Sequence, residues 1–182
     1  MPALTARAQF ALMAQYNQWM NEKMYAAAAH LPAEQQSAER GAFFGSLIGT
    51  LHHIVIGDTL WLKRFTAHSA PFPTLDPVRA LPTPTALRSA HIPPLDELTG
   101  QRQLLDGVIL AWVDELTDAD LDEVVHYATM AGVPGAKSLG RLLLHFFNHQ
   151  THHRGQASTL LFQAGVDVGP TDLLLLIPND ED

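Results

Sequence analysis

Four of the ten histidines, His145, His149, His152 and His153, crowd into residues 145 to 156, which read HFFNHQTHHRGQ. Imidazole is the commonest protein metal ligand, and two imidazoles one helical turn apart can close on a single ion. His149 and His153 stand at that i, i+4 spacing. The HExxH motif of metalloproteases uses the same geometry, with its glutamate as general base. Here Gln, Thr and His fill the intervening places, so the general-base position is empty of glutamate. The spacing alone is weak, because a histidine on an apolar face is more often a core residue. A metal reading therefore needs a third ligand from elsewhere in the chain.

The cluster lies in a proline-free segment, SLGRLLLHFFNHQTHHRGQASTLLFQAG. Leu142, Phe146, His149, His153, Gln156 and Leu160 recur at spacings of 3 and 4. That periodicity predicts a helix over 138–164, with Ser138 as N-cap and Gly165 as its C-terminal stop. Three further helices are predicted at 5–30, with Thr5 as N-cap, at 43–66 and at 95–116. In the second, the adjacent His52 and His53 point about 100° apart, so at most one faces a site on the bundle axis. His53 shares a stripe with Ile56 and Leu60, and Gly57 between them allows close helix approach. His53 is thus the candidate third ligand, and His52 is expected as a polar group near the rim. In the first helix Tyr16, Asn17, Trp19 and Asn21 lie together. Packing with a polar rim accounts for them; the alternative is that Tyr16 or Asn17 reaches the ligand pocket. Asp114 and Glu115 sit at the end of the third helix where the dipole disfavours acids, with solvation as the one reason at hand. The proline-rich residues 67–94 read as a long connection, with a short helical piece at 84–91 and with His68 and His91 facing solvent. Residues 117–137 suggest a short extended pair, and Leu173 to Ile177 a short apolar turn.

Length favours one domain, 1–182, large enough for a sizeable core. Charged residues make up 16% of the chain, against about 25% in typical domains, which favours helices with wide apolar faces. A net charge of −8 without a Lys/Arg cluster disfavours nucleic acid as a partner. The absence of cysteine removes disulfides, thiolate ligands and a cysteine nucleophile. No signal-peptide core and no run of about 18 apolar residues is found, so no membrane association is expected and a cytoplasmic protein is the default.

Three motifs together resemble the DinB/YfiT-like family, and the likeness covers nearly the whole chain. YNQWMNEKM is similar to that family's first-helix pattern, GTLHHIVIGDTLWLKRF to its second, and HFFNHQTHHRGQ to its fourth-helix NHxxHHRGQ pattern. The resemblance implies an all-α four-helix bundle with an up-down-down-up course, a homodimer, and zinc or nickel on His53, His149 and His153. A histidine, His52, precedes the ligand position where the family often has asparagine; the five-residue offset to Asp58 favours His53 over His52. Asp58, Gln156 and His145 are then expected to orient ligands or water, although Asp58 and Gln156 could equally bond to the backbone or to Arg154. Arg154 and Gly155 are expected to serve packing or a salt bridge. The family's name refers to damage induction, but the acidic charge argues against direct DNA binding.

Three imidazoles that leave a position open form a catalytic-type set. Some family members resemble thiol S-transferases, which implies a low-molecular-weight thiol as cosubstrate, since this chain has no sulfur nucleophile of its own. A non-catalytic metal- or ligand-binding stress-response protein is the alternative. Metal-assisted hydrolysis is a third reading; it needs a base near the water, a role open to Asp58 only if it faces the site.

Overall fold

The computed structural model describes residues 5–89 and 91–179. It is mostly helical, with one small two-stranded sheet. The long helices are α1 (Ala6–Ala29), α3 (Leu47–Phe65), α5 (Leu95–Glu115) and α6 (Leu139–Gln163); two short ones are α2 (Ala33–Ser37) and α4 (Asp76–Ala80). Strands β1 (Val124–Ala128) and β2 (Pro134–Ser138) pair antiparallel, which supplies the extended pair expected between α5 and α6. A 3-10 turn at Leu173–Leu176 lies against α1.

Local chemistry sets the helix ends. Thr5 Oγ1 accepts from Ala8 N–H at 3.2 Å, and Ser46 Oγ accepts from Gly49 N–H at 3.1 Å, each satisfying an orphan donor of the first turn. α3 begins at Leu47 rather than near residue 43, because Gly45 holds a left-handed φ of 80° that breaks the apolar pattern of Phe43 and Phe44. Ser138 precedes α6 without making a side-chain cap; it ends β2 opposite Val124, and Leu139 N–H is taken by Glu123 O at 2.9 Å. At the far end Gly165, φ 84°, donates to Phe162 O and Val166 N–H donates to Leu161 O, a Schellman stop.

α1 packs on α5 and α6, and α3 packs on the same two helices. α3 is buried almost all round, its apolar residues lying on every face and its polar Thr50, His52, His53, Asp58 and Thr59 buried with them. Trp112, Phe65 and Phe146 centre the core, with Phe65 stacked on Trp112 at 5.0 Å between ring centres. The tail is strapped over α1, where Tyr16 Oη donates to Thr171 O at 2.7 Å and Lys23 donates to Pro170 O.

Several local expectations are corrected. No helix forms within 84–89; Ala90 lies outside the described residues, and the helical piece forms instead at α4, where Pro77 fits the first turn. His68 is buried, not solvent-facing: its Nε2–H donates to Asp120 O at 3.2 Å and its Nδ1 accepts from Ala70 N–H at 3.0 Å. His91 is exposed, as expected. His52 is buried rather than at a rim, beside Val55 and the prolines Pro82 and Pro84. The acids at the end of α5 have partners: Asp114 pairs with Arg7 at 2.5 Å, and Glu115 accepts from Thr74 Oγ1.

Candidate metal centre

His53 comes from the middle of α3, and His149 and His153 come from successive turns of α6. The structure brings these three together, with one ring nitrogen from each lying within 4.8 Å of the others. His53 Nε2 and His149 Nε2 are 3.1 Å apart. It is His53, not its neighbour His52, that joins the α6 pair. The approach depends on Gly57, where an added Cβ would stand 2.8 Å from His149 Cε1.

Two of the rings are fixed from behind. His53 Nδ1–H donates to Leu87 O at 3.0 Å, and His153 Nδ1–H donates to Gln156 Oε1 at 2.8 Å. Each bond puts the ring hydrogen on Nδ1 and leaves Nε2 with a free lone pair, the arrangement that second partners impose on ligating histidines. Phe44 stacks on His53 at 3.8 Å between ring centres. Burial, and then the neighbouring imidazoles, push His149 down to about 3. Burial, against the opposing Leu87 bond, pushes His53 down to about 4. Burial also lowers His153. All three are therefore neutral at pH 7, the state a metal ligand needs. Converging neutral nitrogens with oriented rings fit a divalent ion, and imidazole donors suit zinc, copper, iron or nickel. The cluster can hold a metal ion.

A cavity of about 840 Å³ opens on these rings. Its walls include Phe43, Phe44, Leu60 and Trp61, with the 129–131 turn of the hairpin across from them. His145 also lines it, with Trp61 at 5.1 Å and His149 at 6.1 Å between ring centres. His152 lies outside the triad, packed on His153 and accepting from Gln156 Nε2 at 3.2 Å.

The remaining expected site residues divide. Gln156 contacts a triad histidine directly. Asp58 does not line the cavity: its Oδ2 accepts from Arg102 at 2.5 Å and from Gln150 Nε2 at 2.9 Å, fully buried. Tyr16 and Asn17 are also away from it. Asn17 donates to Asp106 at 2.8 Å and accepts from Arg154, whose guanidinium lies over the Tyr16 ring. Phe44, Leu87, Arg88 and Arg64 also line the cavity, outside the site residues that the sequence singles out. Arg64 and Trp61 stood inside the WLKR part of a quoted motif without a role, whereas a backbone carbonyl such as that of Leu87 leaves no sequence signal.

Comparison with known proteins places the chain in a family. Protein DinB of Bacillus subtilis (strain 168) is 24% identical over 158 residues, covering 87% of this chain and 87% of that protein. The model of the DinB family matches residues 2–181, a span that takes in all three histidines and every helix that carries them. By that match, the chain belongs to the DinB family.

Proposed function

We propose that this chain is a divalent-metal protein, with zinc or nickel held by His53, His149 and His153, and that it joins a low-molecular-weight thiol to an electrophile. The observation that carries the reading is the neutral three-histidine cluster on the wall of an 840 Å³ cavity with apolar and aromatic sides. A bound divalent ion supplies Lewis acidity that favours thiolate over thiol at neutral pH. The chain's own part is positional. Leu87 O and Gln156 Oε1 hold the rings, Phe44 screens His53 from water, and Trp61 and Leu60 seat the organic body of the reactants. The sulfur–carbon bond forms as a carbon–chlorine or carbon–oxygen bond breaks. The thiol gives its proton to solvent; chloride leaves with its electron pair, or the epoxide oxygen takes a proton back from solvent.

Hydrolysis is less well supported, because among the described residues no carboxylate lines the cavity to act as base. The up-down-down-up four-helix bundle belongs to the same reading, with the chain as one domain, as does a homodimer; exposed Phe162, Leu174 and Leu175 offer apolar surface for it. A monomer in light scattering at micromolar concentration would remove the dimer. A cytoplasmic setting fits a thiol-dependent reaction, since thiols are kept reduced there; no described helix is long and apolar enough to cross a membrane. The net charge of −8 speaks against nucleic acid as a partner.

The experiment is incubation of metal-loaded protein with glutathione, bacillithiol or mycothiol and a chlorinated or epoxide electrophile. Conjugate above the metal-free control, lost in His149→Ala, is the expected result. Tight metal binding without turnover for any pair would replace the transferase with a non-catalytic metal- or ligand-binding stress-response protein.

A further inference from the structure

Two arginines share the cavity with the histidines, and among the described residues neither meets a carboxylate. Arg64, in the last turn of α3, carries its guanidinium carbon 4.6 Å from the Trp61 ring centre and 5.5 Å from that of Tyr127. Arg88 lies 5.4 Å from the Phe43 ring centre and 5.7 Å from that of Phe44. Phe44 stacks on His53, and Trp61 packs on His145, so each guanidinium is joined through an aromatic ring to one side of the histidine cluster. Cation–aromatic packing engages the face of a guanidinium and leaves its N–H edge for a planar acceptor.

Among the described residues neither arginine makes an ion pair or donates a side-chain hydrogen bond, whereas Arg7, Arg79 and Arg102 each meet an aspartate. Among the described residues the cavity wall holds no Asp or Glu, on a chain whose net charge is −8. Burial disfavours the charge of Arg64, a cost that an anion beside it would offset. The aromatic and aliphatic walls suit an organic body rather than a bare inorganic ion.

We propose that the cavity binds a small organic carboxylate, its acid group received by the guanidinium of Arg64 or of Arg88 and its other end directed at the histidine cluster. The forked N–H donors of arginine match a carboxylate in two parallel bonds. The identity of that other end as a thiol rests on the transferase reading above; the carboxylate site does not.

The test is calorimetric titration of metal-loaded protein with 3-mercaptopropionate and with 3-mercaptopropionamide, probes that differ in the acid charge. The acid binds at least about tenfold tighter than the amide, the scale of one charge-assisted pair. The preference shrinks in 0.5 M salt and disappears in an Arg64→Gln, Arg88→Gln double variant that keeps its metal. Equal binding of the two probes, or a preference that survives the double variant, overturns the proposal while leaving the metal reading intact. Failure of the metal reading shows separately, as protein without stoichiometric metal. In that event 3-phenylpropionate and its amide replace the thiols, and the carboxylate preference must again vanish in the double variant. Loss of that preference in the wild-type chain ends the proposal.

Discussion

α3 and α6 contribute to two polar clusters in the interior, and the clusters solve burial in opposite ways. In one, Asp58 of α3 pairs with Arg102, Arg102 with Asp106, and Asn17, Asn21, Gln150 and Arg154 add further hydrogen bonds, so that α1, α3, α5 and α6 are tied together. In the other, His53, His149 and His153 meet as neutral nitrogens beside a cavity. Carboxylates and guanidiniums keep their charge when buried only if an opposite charge answers them, so the first cluster is built on Asp–Arg pairs. Imidazoles can shed the charge instead, so the second stays compact and keeps lone pairs to offer. The two clusters sit on different faces of the same helices: one fastens the helices and the other is left to bind.

The largest expected effect tests the fastening cluster. Arg102→Met should cost about 3–5 kcal/mol in urea unfolding, because Asp58 and Asp106 lose the guanidinium that pairs with both of them. The fraction that still folds should keep its metal. A loss below about 1 kcal/mol would mean that water, not Arg102, answers the acids. In the second cluster, His149→Ala should take metal content from about one ion per chain to none, measured by elemental analysis of tag-free protein. His52→Ala should leave it unchanged. Loss in the His52 variant with retention in a His53→Ala variant would redraw the triad.

A smaller effect sharpens the role of the groups behind the ligands. Gln156→Ala should weaken metal affinity about 10–100-fold without abolishing it, as read by chelator competition. An unchanged affinity would mean that helix packing alone orients His153. The last prediction separates the clusters by pH. His53 and His149 have folded pKa values of about 4 and about 3, below the ordinary histidine value. The unfolded chain therefore takes up protons first, so metal-free protein should lose stability as pH falls from about 6.5 towards about 3, and lose none to these groups above that window. Urea midpoints that stay flat across the window in chelator would show that the rings are not held neutral.

Much of this was readable from residue order, for identifiable reasons. The long helices announce themselves through periodic apolar residues, and Thr5 and Gly165 mark ends where the sequence expects them. The triad is legible because helical phase puts His149 over His153 and separates His53 from His52. What failed to show comes from segments without a period. Phe44 and Leu87 reach the site from connectors, and their paths depend on turns such as that at Gly45. The family resemblance, with Asp58 five residues after His53, implies Asp58 near the ligands. That offset turns it roughly 140° around the helix, towards Arg102. His68 was read as exposed because loops run over surfaces, yet this one folds back so that both ring nitrogens bond to backbone.

The bond from His53 to Leu87 bears on how this chain can change in length. Connecting segments usually accept inserted or deleted residues, since few contacts fix their path. Here one carbonyl in the proline-rich stretch sets which nitrogen of His53 carries its hydrogen. Adding a residue between Pro84 and Leu87 would shift that carbonyl by up to about 3.8 Å, a full Cα step, and free the ring to turn. The spacing of this surface segment is therefore constrained as a ligand's spacing is, although no atom of it needs to touch an ion.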